Sequence, residues 1–83
     1  MRKAYLTEQA QKDLKEIPDH NRLRIQKKLN AFINKSVEGK QLTGRLKGFY
    51  SIKVWPYRII YFFTKGEIWI VHIKHRREVY RRI

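Results

Sequence analysis

Apolar residues recur at helical spacing in the first half of the chain and at strand spacing in the second. Lys3 to Leu6 reads as a short strand. Thr7 then offers a hydroxyl to cap a helix in which Ala10, Leu14 and Ile17 share one face, and Pro18 ends it. Asp19 offers a second cap, ahead of an amphipathic stripe of Leu23, Ile25, Leu29, Phe32 and Ile33 that runs to about Lys35. Two helices joined through Pro18 and Asp19 make a helical hairpin. The other face of the second helix carries Arg22, Arg24, Lys27, Lys28 and Lys35.

From Ser36 to Gly48 the periodicity is lost, and Gly39, Gly44 and Gly48 punctuate a lysine-rich loop that is either a phosphate-contacting segment or a plain connector. Phe49 to Val54 alternates, with Tyr50, Ile52 and Val54 on the core side and Phe49, Ser51 and Lys53 facing out. Trp55-Pro56 makes a tight turn. Tyr57 to Thr64 is apolar on both faces apart from Arg58, the pattern of a central strand. Lys65-Gly66 closes a hairpin onto Glu67 to Lys74, and residues from about Arg76 to Ile83 form a short terminal helix or tail. The expected fold is α+β, in the order β-α-α-β-β-β, with consecutive antiparallel strands in a small two-layer domain.

At 83 residues and with no linker-like composition, residues 1–83 form a single domain. Cysteine is absent, so neither a disulfide nor a thiolate-bound metal can staple so small a core, and a binding partner is a plausible source of stability. Lys and Arg number 20 against 7 acids, a formal charge of +13. That self-repulsion calls for RNA, DNA or an acidic protein, the plainer alternative being a solvated basic surface. With neither a long apolar run nor a secretory h-region, a cytoplasmic location without membrane contact is expected.

The candidate chemistry lies in Lys53 and Arg58 on consecutive strands and in the segment Val71 to Tyr80, which gathers His72, Lys74, His75, Arg76, Arg77 and Tyr80. Arg58 breaks an apolar strand, and its guanidinium suits bidentate phosphate binding; the alternative is an ion pair with one of the scarce acids. His75 stands among Lys74, Arg76 and Arg77 and is a candidate acid or base; the alternative is a structural histidine at a strand end. His72 is the weaker candidate. Tyr80 either stacks on a base or packs the tail, together with Val79 and Ile83, onto the sheet. No spacing of His and acids resembles a metal site, and no cofactor is expected.

Together, Arg45-Leu-Lys-Gly-Phe-Tyr-Ser-Ile-Lys-Val-Trp-Pro-Tyr-Arg-Ile-Ile-Tyr61 and Val71-His-Ile-Lys-His-Arg-Arg-Glu-Val-Tyr80 resemble the RelE branch of the RelE/ParE toxin superfamily, over nearly the whole chain. The resemblance implies a RelE-like fold and the toxin of a type II toxin-antitoxin system. Its implied activity is that of a ribosome-dependent, metal-independent endoribonuclease that cuts mRNA in the A site and is neutralised by a cognate antitoxin. It places catalytic roles on Lys53, Arg58 and Tyr80, with His75 where relatives carry an arginine, although Lys74 or Arg76 also fits that position. Arg45, Lys47, Ser51, Lys74, Arg76 and Arg77 are then the substrate-binding candidates, with Ser51 replacing a second strand lysine. A ParE-like inhibitor of DNA gyrase and a non-catalytic RNA-binding domain are the alternatives.

Overall fold

The computed structural model describes residues 3–34 and 39–82, and of residues 80–82 the backbone alone. Strand β1 (Ala4–Leu6) leads into helices α1 (Glu8–Glu16) and α2 (Asp19–Ile33). A short strand β2 (Lys40–Gln41) and a 3-10 turn (Gly44–Leu46) precede β3 (Tyr50–Val54), β4 (Tyr57–Thr64), β5 (Glu67–His75) and helix α3 (Arg76–Arg82). The strands form one five-stranded sheet in the order β1-β5-β4-β3-β2. β1 runs parallel to β5 and every other pairing is antiparallel. The α+β expectation is met, with β4 as the central strand.

Thr7 caps α1 as its position indicates, its hydroxyl accepting the Ala10 amide at 3.2 Å, worth about 1 kcal/mol at such a site. Asp19 differs from expectation: Pro18 occupies the cap position of α2, and Asp19 is the first helical residue, paired with Arg22. A proline suits a helix start because the N–H it lacks would have no partner there. The segment taken as pure loop also differs, since Lys40 and Gln41 pair with Ser51 and Tyr50. Lys35 and residues 36–38 lie outside the described residues. The terminal segment is a helix, α3, and Ile83 lies outside the description.

The helices cover one face of the sheet. There Ile25, Leu29 and Phe32 of α2 and Ala10 of α1 join Ile52, Val54, Ile59, Tyr61, Ile68, Ile70 and Ile73 in one buried cluster. Full burial of each large apolar side chain contributes about 1.5–3 kcal/mol, and the rings of Phe32 and Tyr61 meet at 4.7 Å between centroids. Lys65 and Gly66, both at positive φ, turn β4 into β5, a geometry whose twist matches that of the strands. A register shift opposite Ile60 and Tyr61 leaves Val71 as an extra residue in β5. The helix-side positions of β5 are consequently Ile68, Ile70, Ile73 and His75, and Trp69, His72 and Lys74 go to the other face. Among the described residues no helix is long and apolar enough to cross a membrane.

Candidate active site

The face of the sheet turned away from the helices carries the cations. Register sets Lys53 opposite Arg58 and Arg58 opposite Lys74, a row of positive side chains across β3, β4 and β5. One step along the strands, Ser51 lies opposite Ile60. Beside this row Lys40, Gln41, Leu42, Thr43, Arg45 and Leu46 wall a cleft of about 350 Å³, with Ser51 and Arg58 at its strand side.

Two polar atoms of that cleft are left without partners. Ser51 is only 4% exposed, and neither its Oγ nor the buried Arg58 Nε makes a hydrogen bond. Buried polar groups are normally satisfied, and a buried guanidinium N–H with no acceptor is costly. An anion entering the cleft would supply oxygens to both. Arg58, expected as catalytic, and Arg45 and Ser51, expected among the substrate-binding residues, all line this cleft.

Lys53 is exposed and lies at the neighbouring edge. Its ammonium sits 5.5 Å from the Trp55 ring centre, and the Arg76 guanidinium lies over the same ring at 4.7 Å. Lys53 and Trp55 also line a groove of about 400 Å³ with Arg24, Lys27 and Lys28 of α2. The cationic row thus continues onto the basic helix face. Lys47 is exposed just after the 3-10 turn and does not line the cleft.

Lys74 is committed elsewhere. Its ammonium donates to Asp13 Oδ1 at 2.9 Å, while Gln9 donates to the same oxygen at 2.8 Å and the Ile73 amide donates to Oδ2 at 3.0 Å. Asp13 is 4% exposed. It reaches the edge of β5 just past Ile70, where pairing with β1 ends, and so satisfies a strand amide that has no strand beside it. His72 Nδ1 is 3.8 Å from Asp13 Oδ2 and makes no hydrogen bond. Burial pushes the His72 pKa down, against the pull of Asp13 and with the help of Lys74. Asp13, which holds Lys74 away from the cationic row, is a residue that sequence reasoning missed. An acid on a helix facing a strand 60 residues away leaves no local signal.

His75 is not brought to Arg58. It shares the helix side of the sheet with Tyr57, ring centres 5.8 Å apart, and its Nδ1 accepts the Arg77 amide at 3.2 Å. There it lines a separate pocket of about 380 Å³ with Glu16, Tyr57, Lys74, Arg77 and Glu78 among others, so Arg77 also faces acids rather than the cleft. Tyr80 lies on α3, and its side chain is outside the described residues.

Residues 4–80 match the family model described as the ParE toxin of the type II toxin-antitoxin system parDE. Among solved structures, a chain of the RelB-RelE antitoxin-toxin complex from Methanococcus jannaschii is 26% identical, with 90% of this chain and 93% of that one covered and a TM-score of 0.73. The fold is shared with YafQ from E. coli strain BL21(DE3), at 15% identity, 96% and 99% coverage and a TM-score of 0.78. It is shared also with a chain of the YoeB-YefM complex from Staphylococcus aureus, at 23% identity, 90% and 97% coverage and a TM-score of 0.67. No curated protein sequence gives a significant match.

Proposed function

We propose that this chain, which belongs to the ParE toxin family of the RelE/ParE superfamily and is thus the toxin of a type II toxin-antitoxin system, cuts messenger RNA in the ribosomal A site. The reading rests on one observation above all: Arg58 Nε and Ser51 Oγ, both buried and unpartnered, border an open cleft in line with Lys53. Cleavage proceeds by attack of a ribose 2′-hydroxyl on the adjacent phosphorus, with departure of the 5′-oxygen. It leaves a 2′,3′-cyclic phosphate and a 5′-hydroxyl.

The role of the row is charge. As the phosphorane forms, negative charge grows on its equatorial oxygens. Arg58 meets them with a fixed fork of donors that needs little reorganisation, and Lys53, its neighbour in register, adds a second cation. Ser51 donates to a phosphate oxygen and holds the strand in position. Tyr80 follows on α3 and orients the reacting nucleotide. His75 is left out of the assignment because it faces the opposite side of the sheet, with Tyr57. The ribosome supplies the alignment of mRNA, and alignment of this kind can lower a barrier by several kcal/mol. The α2 groove of Arg24, Lys27 and Lys28 docks on ribosomal RNA through its phosphates.

The RelB-RelE complex includes an antitoxin, and a cognate antitoxin is the natural partner here. An acidic one answers the charge of +13. Such a toxin works in the cytoplasm, where translating ribosomes are.

The test is to induce the protein and map new RNA 5′ ends across the transcriptome, beside a Lys53→Ala, Arg58→Ala double variant. Cuts confined to translated frames, carrying 5′-hydroxyl ends and lost in the variant, are expected. The family model is that of ParE, which favours a second reading as an inhibitor of DNA gyrase. Growth arrest with trapped gyrase and no new RNA ends would replace the first reading with that one.

A further inference from the structure

The face of the sheet turned away from the helices holds a second row, parallel to the cationic one and not used by the chemistry above. Tyr5 on β1 pairs with Trp69 on β5, and Trp69 pairs with Phe62 on β4. Phe49, just before β3, meets Phe62 edge-on, with ring centres 5.9 Å apart at 83°. Tyr5 and Trp69 are stacked, at 4.9 Å and 27°. Aromatic side chains therefore run across the sheet from the β1 edge to β3.

These rings are not core. Phe32 and Tyr61, on the helix side, are 0% and 1% exposed, whereas Tyr5 is 40% exposed and Trp69, Phe62 and Phe49 are half-buried. Along β4 the order on this face is Arg58, Ile60, Phe62, with Ile60 fully buried between the two rows. At about 3.3 Å per residue the aromatic row lies roughly 13 Å from the cationic row. One surface thus offers charge for phosphates along one line and flat π-faces along a second. That combination grips single-stranded nucleic acid, whose bases stack on aromatic rings while its backbone follows the cations.

We propose that Tyr5, Trp69, Phe62 and Phe49 form a stacking platform for bases of the mRNA that flank the scissile phosphate. The proposal rests on the reading of the chain as an mRNA-cleaving toxin and adds to it a place for nucleotides away from the cut. Stacking accepts every base, so the platform adds affinity and alignment with little sequence preference. The charge on the same face favours RNA as occupant. An apolar segment of the antitoxin is the competing occupant.

Trp69 is its own reporter. In a Trp55→Phe protein, a ten-nucleotide RNA with 2′-O-methyl groups throughout, which cannot be cut, is titrated against Trp69 fluorescence, beside the same backbone without bases. The base-bearing strand should quench Trp69 and bind more tightly than the abasic one. Tyr5→Leu keeps apolar bulk at an exposed position and removes the ring. It should weaken the base-bearing strand about fivefold or more, the scale of one lost stacking partner, and leave the abasic strand unchanged. Equal binding of the two strands overturns the platform, as does a Tyr5→Leu protein that binds RNA normally but has lost the antitoxin. Cleavage on translating ribosomes by the unaltered chain is measured alongside. If it cuts and Trp69 is not quenched, the platform alone falls; if it cuts nothing, the cleavage reading falls and takes the platform with it.

Discussion

Asp13 holds a strand amide, a lysine ammonium and a glutamine amide at once while 4% exposed. Its carboxylate decides where Lys74 points. Without that anchor Lys74 would stand in the row with Arg58, its partner in register. Asp13→Asn keeps the volume and one acceptor but isolates the Lys74 cation, whose side chain is 16% exposed. The expected loss is about 2–3 kcal/mol, between that of an ordinary unmade hydrogen bond and that of a stranded buried charge. Urea unfolding measures it. Adding Lys74→Met should restore much of the loss, because the two changes act on one interaction; additive losses would mean that the pair is not coupled. At this scale Lys53, Arg58 and Ser51 were legible because strand alternation fixes which side chains share a face. Asp13 was not, since its partners come from tertiary packing. The face that His75 takes could not be read from its sequence neighbours. The extra residue in β5 and the pairing with Tyr57 decide its face, and neither leaves a mark in a run of cationic residues.

At the scale of elements, the long strands and both helices could be read from period and caps, while β2 could not. Two residues, Lys40 and Gln41, are too few to display alternation, and their strand character comes from pairing with Ser51 and Tyr50. The approach of this segment to the sheet is set by Gly39. A Cβ there would overlap the Tyr61 hydroxyl and ring, and Tyr61 is fixed between Phe32 and Tyr50 at centroid distances of 4.7 and 5.3 Å. Gly39→Ala should therefore destabilise the fold by about 1–3 kcal/mol, the usual cost of overpacking, seen as a lower urea midpoint. In a Tyr61→Phe background the cost should shrink, because the hydroxyl is the nearest atom. Gly66→Ala, in contrast, places a side chain at positive φ and meets nothing within 4 Å, so its cost reflects backbone strain alone. A Gly39→Ala protein as stable as the parent would show that the β2 segment does not press on Tyr61.

At the scale of the molecule, the excess of 20 basic over 7 acidic residues acts on an ellipsoid only 32 × 29 × 22 Å across. Few of these charges lie more than a few Debye lengths apart at moderate salt, where that length is about 10 Å. Four of the seven acids gather near α1: Glu8, Asp13 and Glu16 lie on it and Asp19 just after it. The α2 groove and Lys53 consequently face solvent, and Arg58 borders its cleft, with little compensation. Repulsion among them opposes folding of the free chain, and anything that screens or neutralises them should stabilise it. Raising the salt from low to about tenfold higher should lift the thermal midpoint. In a domain of this size each kcal/mol recovered corresponds to about 4–8 °C. The same salt should weaken RNA binding, since each phosphate contact releases counterions. Opposite responses from one protein, a rising midpoint and a falling affinity, are the signature of a surface whose charge is kept for a polyanion. Replacing Arg24, Lys27 and Lys28 by glutamine should flatten both. A midpoint indifferent to salt would mean that the local ion pairs already balance the field.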